Sequence, residues 1–72
     1  MQYLVVVEKG ESSYGAFVPD LPGCIAVGET EIEVVKLIQE AIQFHLEDLQ
    51  IEGQPIPPSV SKSTFIEVGL IA

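Results

Sequence analysis

The stretch from residue 18 to residue 30, Val-Pro-Asp-Leu-Pro-Gly-Cys-Ile-Ala-Val-Gly-Glu-Thr, constrains the fold more than any other part of the chain. Pro19 and Pro22 each fix φ at roughly −65° and remove a backbone donor. Gly23 has no Cβ, so it can take the positive φ that a sharp reversal needs. The run therefore encodes one rigid connection between two extended segments. It closes on Gly-Glu-Thr, which reads as a strand end followed by a helix N-cap.

The flanking segments follow from that anchor. Residues 2 to 8 are apolar and β-branched and too short for a helix, so they read as a strand. Tyr3, Val5 and Val7 share one face and Leu4 and Val6 the other. Both faces are apolar, which predicts a central strand. Lys9-Gly10-Glu11-Ser12-Ser13 is a polar turn of hairpin type. Residues 14 to 18 form a second strand and residues 24 to 28 a short third.

Thr30 then opens a helix, with Glu33 completing a capping box. Gly53 and Pro55 end it, so the helix is predicted over about 31 to 52. Gln54 to Ser59, rich in proline, is an extended spacer. Residues 63 to 71 read as a fourth strand. The prediction is α+β, in the order β-β-β-α-β, as a single domain over residues 1–72. The helix and spacer form a crossover that can return the last strand parallel to an earlier one. With the first strand as its partner, the sheet order is 3-2-1-4, with one helix on one face.

The helix carries two apolar stripes. Val34, Val35, Ile38, Ala41, Ile42, Leu46 and Leu49 form a broad face suited to the sheet. Leu37, Phe44 and Ile51 lie away from it at heptad spacing. They fit either the margin of a wide core stripe or a contact surface for self-association, as a dimer or tetramer. A chain of 72 residues buries a modest fraction of its surface alone, which adds weight to association.

Charge narrows the function. Three basic residues stand against 11 acidic ones, a net charge of −8. Phosphate backbones are bound by displacing counterions with Lys and Arg, so direct nucleic-acid binding is not expected. A basic partner would be attracted. The single cysteine, Cys24, gives no internal disulfide, no apolar run approaches the ~20 residues of a membrane span, and the N-terminus lacks the pattern of a signal peptide. The expected setting is the cytoplasm, with no membrane partner.

No catalytic constellation is legible. His45 falls within the core stripe and reads as a structural residue. Cys24 has no second cysteine or histidine near it in sequence and reads as a packing residue. A two-cation nuclease needs converging carboxylates. Glu8 ends a strand, Asp20 lies in the proline loop, Glu40 is on the outer side of the helix, and Glu67 alternates with Phe65; these do not converge. Glu29, Glu31 and Glu33 are explained by capping and the helix dipole. No metal or cofactor is expected, since phosphate loops and zinc spacings are absent.

Taken together, the valine-rich first strand, Tyr14 and Phe17, Asp20-Leu21-Pro22-Gly23-Cys24, Gly28-Glu29-Thr30, Glu40-Ala41-Ile42 and Gly53-Gln54-Pro55-Ile56-Pro57 resemble the HicB-like antitoxin family. The resemblance implies a partial ribonuclease H fold without its catalytic set. It also implies a protein-binding role, in which the domain occludes HicA, a small basic toxin that cleaves mRNA. Full-length members carry a C-terminal DNA-binding domain. This sequence stops at Ala72, so that domain and DNA-mediated autoregulation are not expected. The alternative is an orphan, stand-alone oligomeric domain with a structural or small-ligand role. Partner contact is expected at Asp20, Leu21, Tyr14 and Phe17, and an oligomer interface at Leu37, Phe44 and Ile51.

Overall fold

The computed structural model describes residues 1–71. It is an α+β unit of β1 (Val6–Lys9), β2 (Tyr14–Phe17), β3 (Ile25–Gly28) and α1 (Glu31–Ile51). The strands form an antiparallel meander in the order β1-β2-β3. Val6 stands opposite Phe17, and Phe17 opposite Ile25. Val7, Ala16 and Ala26 form the adjacent row. Because side chains alternate along a strand, these two rows point to opposite faces.

The helix covers one of those faces. Thr30 is its N-cap: the Thr30 Oγ1 accepts from the Glu33 amide at 3.0 Å, and the Glu33 carboxylate accepts from the Glu29 amide at 2.9 Å. This capping box satisfies two donors that the helix start would otherwise leave open. The other end closes as a Schellman turn, with the Gly53 amide donating to the Gln50 carbonyl and the Gln54 amide to the Leu49 carbonyl.

Val34 and Ile38 are the buried residues of α1 and join Ala16, Val18, Leu21 and Cys24 in the core. Ala41, Ile42 and Leu46 pack against it from the helix, and Tyr3 and Val5 from the segment that precedes β1. The expected core stripe is therefore present from Val34 to Leu46, except that Val35 is exposed, while Leu49 is half-buried beyond it. Gly28 sets how closely helix and sheet approach. A Cβ there would lie 2.9 Å from the Val34 amide nitrogen, so any larger residue would push α1 off the sheet.

One expectation is corrected. Residues 63–71 form no strand, and the order 3-2-1-4 is not seen: the sheet has three strands, and β1 is an edge rather than the centre. The local sequence has the right composition for a strand, but strand pairing is a non-local contact that composition does not specify. In the structure the chain is held beside the body as far as Ser61 and then leaves it. Phe65, Ile66, Val68, Leu70 and Ile71 are all exposed.

Candidate partner-binding surface

The loop between β2 and β3 is built as a small knot of backbone bonds. The Val18 amide donates to the Cys24 carbonyl at 3.2 Å, the Leu21 amide to the Val18 carbonyl at 3.0 Å, and the Cys24 amide to the Leu21 carbonyl at 3.1 Å. Gly23 takes φ 85°, the left-handed conformation the reversal requires. Pro19 and Pro22 stay at the surface, while Leu21 points inward and is wholly buried. Leu21 is thus a plug that the loop inserts into the core, and it has no surface to offer a partner. Cys24 lies next to it, and burial pushes its thiol pKa up. A raised pKa leaves less thiolate, which fits a packing role.

Asp20 has a definite structural employment. Its Oδ2 accepts from the amides of Val60 and Ser61, each at 2.9 Å, and its Oδ1 accepts from the Ser61 hydroxyl at 2.7 Å. The Ser61 amide, and then the Ser61 hydroxyl, hold this carboxyl below its ordinary 3.8; partial burial opposes them, and the Val60 amide adds to them. A second tie lies close by, where the Tyr3 hydroxyl donates to the Pro57 carbonyl. The proline spacer is therefore fastened to the loop and to the N-terminal segment.

Among the described residues, no helix or strand packs on the face of the sheet opposite α1. Val6, Phe17 and Ile25 form one row across it, and Val27 stands in the next row beside Gly15 and Glu8. Ile25 and Val27 are 66% and 65% exposed. Phe17 is in this patch, at 37% exposure, whereas Tyr14 is half-buried against the core. The four residues expected at a partner contact therefore do not form one surface. Phe17 is on the open face, Tyr14 is turned to the helix side, Asp20 clamps the spacer, and Leu21 is internal. Ile25 and Val27 were missed as members of the open face. Their alternation with Cys24, Ala26 and Gly28 was the available signal, since small residues lie on the helix side and large ones opposite.

On α1, Phe44 and Ile51 are exposed and Leu37 is half-buried. Glu40, Glu47, Asp48 and Glu52 stand at the surface of the same helix. No group of three or more acidic, His or Cys side chains suited to a metal ion occurs among the described residues. No helix there is long and apolar enough to cross a membrane. The clefts found are open and shallow; one lies between the N-terminus and α1 and is lined by Met1, Tyr3, Gln39, Ile42, Gln43 and Leu46.

Residues 3–67 match the model of the HicB-like antitoxins of bacterial toxin-antitoxin systems. The chain belongs to that family. Its curated relatives include an uncharacterized 14.9 kDa protein of Haemophilus phage HP1, 37% identical over 82% of this chain and 44% of the phage protein. A UPF0150 protein of Helicobacter pylori is 45% identical over 65% of each chain. A UPF0150 protein of Synechocystis is 43% identical over 76% of this chain and 71% of its own length. The chain thus spans less than half of the phage relative and about two thirds of the Helicobacter one. No solved structure matches. As a HicB-like domain, the molecule combines a rigid proline loop, an open apolar sheet face and an acidic exterior, a combination suited to contact with another protein.

Proposed function

We propose that this chain is an antitoxin-like protein-binding module that binds and occludes a small basic mRNA-cleaving toxin of the HicA type. Family membership over residues 3–67 carries the reading, and the net charge of −8 supports it. An acidic domain raises the encounter rate with a basic partner and disfavours binding to RNA itself. Phe17, with Val6, Ile25 and Val27, supplies the apolar centre of the contact, and Glu8 lies at its margin. Asp20 and Leu21 act indirectly, the first by fastening the spacer and the second by holding the loop in shape, and Tyr14, turned to the helix side at the other end of β2, lies outside the contact. The module works by covering its target, with no catalysis, metal or cofactor of its own, and it operates in the cytoplasm, where Cys24 stays reduced.

The test is co-purification and an RNA-cleavage assay with a HicA-type toxin encoded beside it. Stoichiometric capture that stops cleavage is expected, and Phe17→Glu should weaken capture at least tenfold. Cleavage that continues unchanged in the presence of excess protein would sink the reading.

A second reading rests on the exposed Phe44 and Ile51 of α1: an orphan oligomeric domain joined through Leu37, Phe44 and Ile51. Here Phe44→Glu lowers the mass seen by light scattering. An unchanged mass removes the stripe as an interface.

A further inference from the structure

The segment from Ser63 to Ile71 has the chemistry of a strand and none of a strand's neighbours. Thr64, Ile66, Val68 and Leu70 alternate with Ser63, Phe65, Glu67, Gly69 and Ile71, so one face of an extended chain is largely apolar and the other is mixed, with Phe65 and Ile71 as its apolar residues. Phe65, Leu70 and Ile71 are 104%, 96% and 99% exposed. The radius of gyration is 14.9 Å and the long axis 55 Å. A compact chain of this length would have a radius of gyration of about 11 Å. The tail therefore projects from the body as an arm.

A vacant place for a strand lies at the other end of the sheet. β1 is paired by β2 on one side only, and among the described residues no backbone hydrogen bond reaches its other edge. An unpaired edge of this kind is a template for another strand. The root of the arm is fixed beside the segment that leads into β1: Ser59 and Ser61 line a cleft with Gln2, Tyr3 and Leu4, and Asp20 grips Val60 and Ser61. From this root the arm runs into solvent, without pairing to its own β1.

We propose that two copies of the chain exchange these arms, residues 63–71 of each adding as a strand to the free β1 edge of the other. Every copy carries one arm and one vacant edge, so a two-fold pair satisfies both, and the contact is isologous. Charge favours this arrangement over body-to-body packing. The arm from Lys62 holds one cation and one anion, Lys62 and Glu67, so it is neutral and the remainder of the chain carries the whole −8. Two acidic bodies repel. A neutral extended arm reaching roughly 30 Å joins them while leaving them apart. Once added, the arm sets Ile66, Val68 and Leu70 on one face of the lengthened sheet and Phe65 and Ile71 on the other. The fourth strand expected from the sequence is then supplied in trans. The inference does not depend on a toxin.

The experiment uses the full chain. Light scattering should give a mass of two chains or an even multiple, and Val68→Pro should bring it to one chain while circular dichroism keeps the helix, because proline removes a ladder donor. Mixing isotope-labelled and unlabelled chains should give isotope-filtered contacts between the arm of one copy and β1 of another. A wild-type monomer, or a folded Val68→Pro chain that keeps the paired mass, overturns the proposal. So do arm contacts confined to a single copy, the result of docking on its own β1, or arm contacts that miss β1. If Val68→Pro does not fold, the mixed-label experiment on the wild-type chain decides alone.

Discussion

The body from β1 to α1 and the arm after Ser61 are written in the same alphabet of Val, Ile, Leu and Phe, yet only the body gathers some of its apolar side chains into a buried core. The difference is connectivity. In the body, each strand is followed by a turn that returns the chain onto its neighbour, and the capped helix is delivered directly onto the sheet. The arm follows a proline spacer fastened by Asp20 and Tyr3, which directs it past the sheet rather than across it. A strand-forming sequence becomes a strand only where a partner edge is supplied, and in the body the partner is local.

The sharpest way to break this contrast is to truncate one buried and one exposed side chain. Leu21→Ala removes a wholly buried plug from the core and should cost about 2–5 kcal/mol in urea unfolding, a large part of what so small a domain has. Phe65→Ala, on the arm, should change unfolding at high dilution by less than about 0.5 kcal/mol. With arm exchange, Phe65→Ala becomes destabilising as protein concentration rises, because association then contributes to stability. A large effect of Phe65→Ala at high dilution would mean that the arm packs on its own body.

The same contrast explains what could be read from the sequence. The helix and its Thr30–Glu33 cap, the three strands of the meander and the proline loop are local signals, and they fall where expected within a residue or two, except that β1 starts at Val6 rather than at residue 2. What escaped was non-local. Nothing near Asp20 announces that its partners are Val60 and Ser61, some forty residues on. Leu21, expected at a partner contact, is instead wholly buried. A lone large apolar residue between two prolines was the available sign of an inward plug. β1 was placed at the centre because its two faces are both apolar, but an edge strand whose vacant side awaits another chain has the same pattern.

The smallest effect, and the one that probes the hinge between the two regions, lies at Asp20. Its folded pKa is held below the ordinary 3.8 by hydrogen bonds to the charged form. The stabilisation this carboxylate gives is therefore fully present above its unfolded pKa and is lost as pH falls through the lower folded value. Protection of the Val60 and Ser61 amides from hydrogen exchange should follow that curve, flat from neutral pH down to about 4 and falling below it. Asp20→Asn keeps an acceptor but not the charge, so it should lower the protection partway and flatten its dependence on pH. Asp20→Ala leaves both amides without a side-chain acceptor and should bring them to open-chain rates, while the core amides of β2 and α1 are little changed. If Asp20→Ala leaves Val60 and Ser61 protected, something other than this carboxylate holds the root of the arm. The boundary between the covered body and the uncovered arm would then have to be drawn elsewhere.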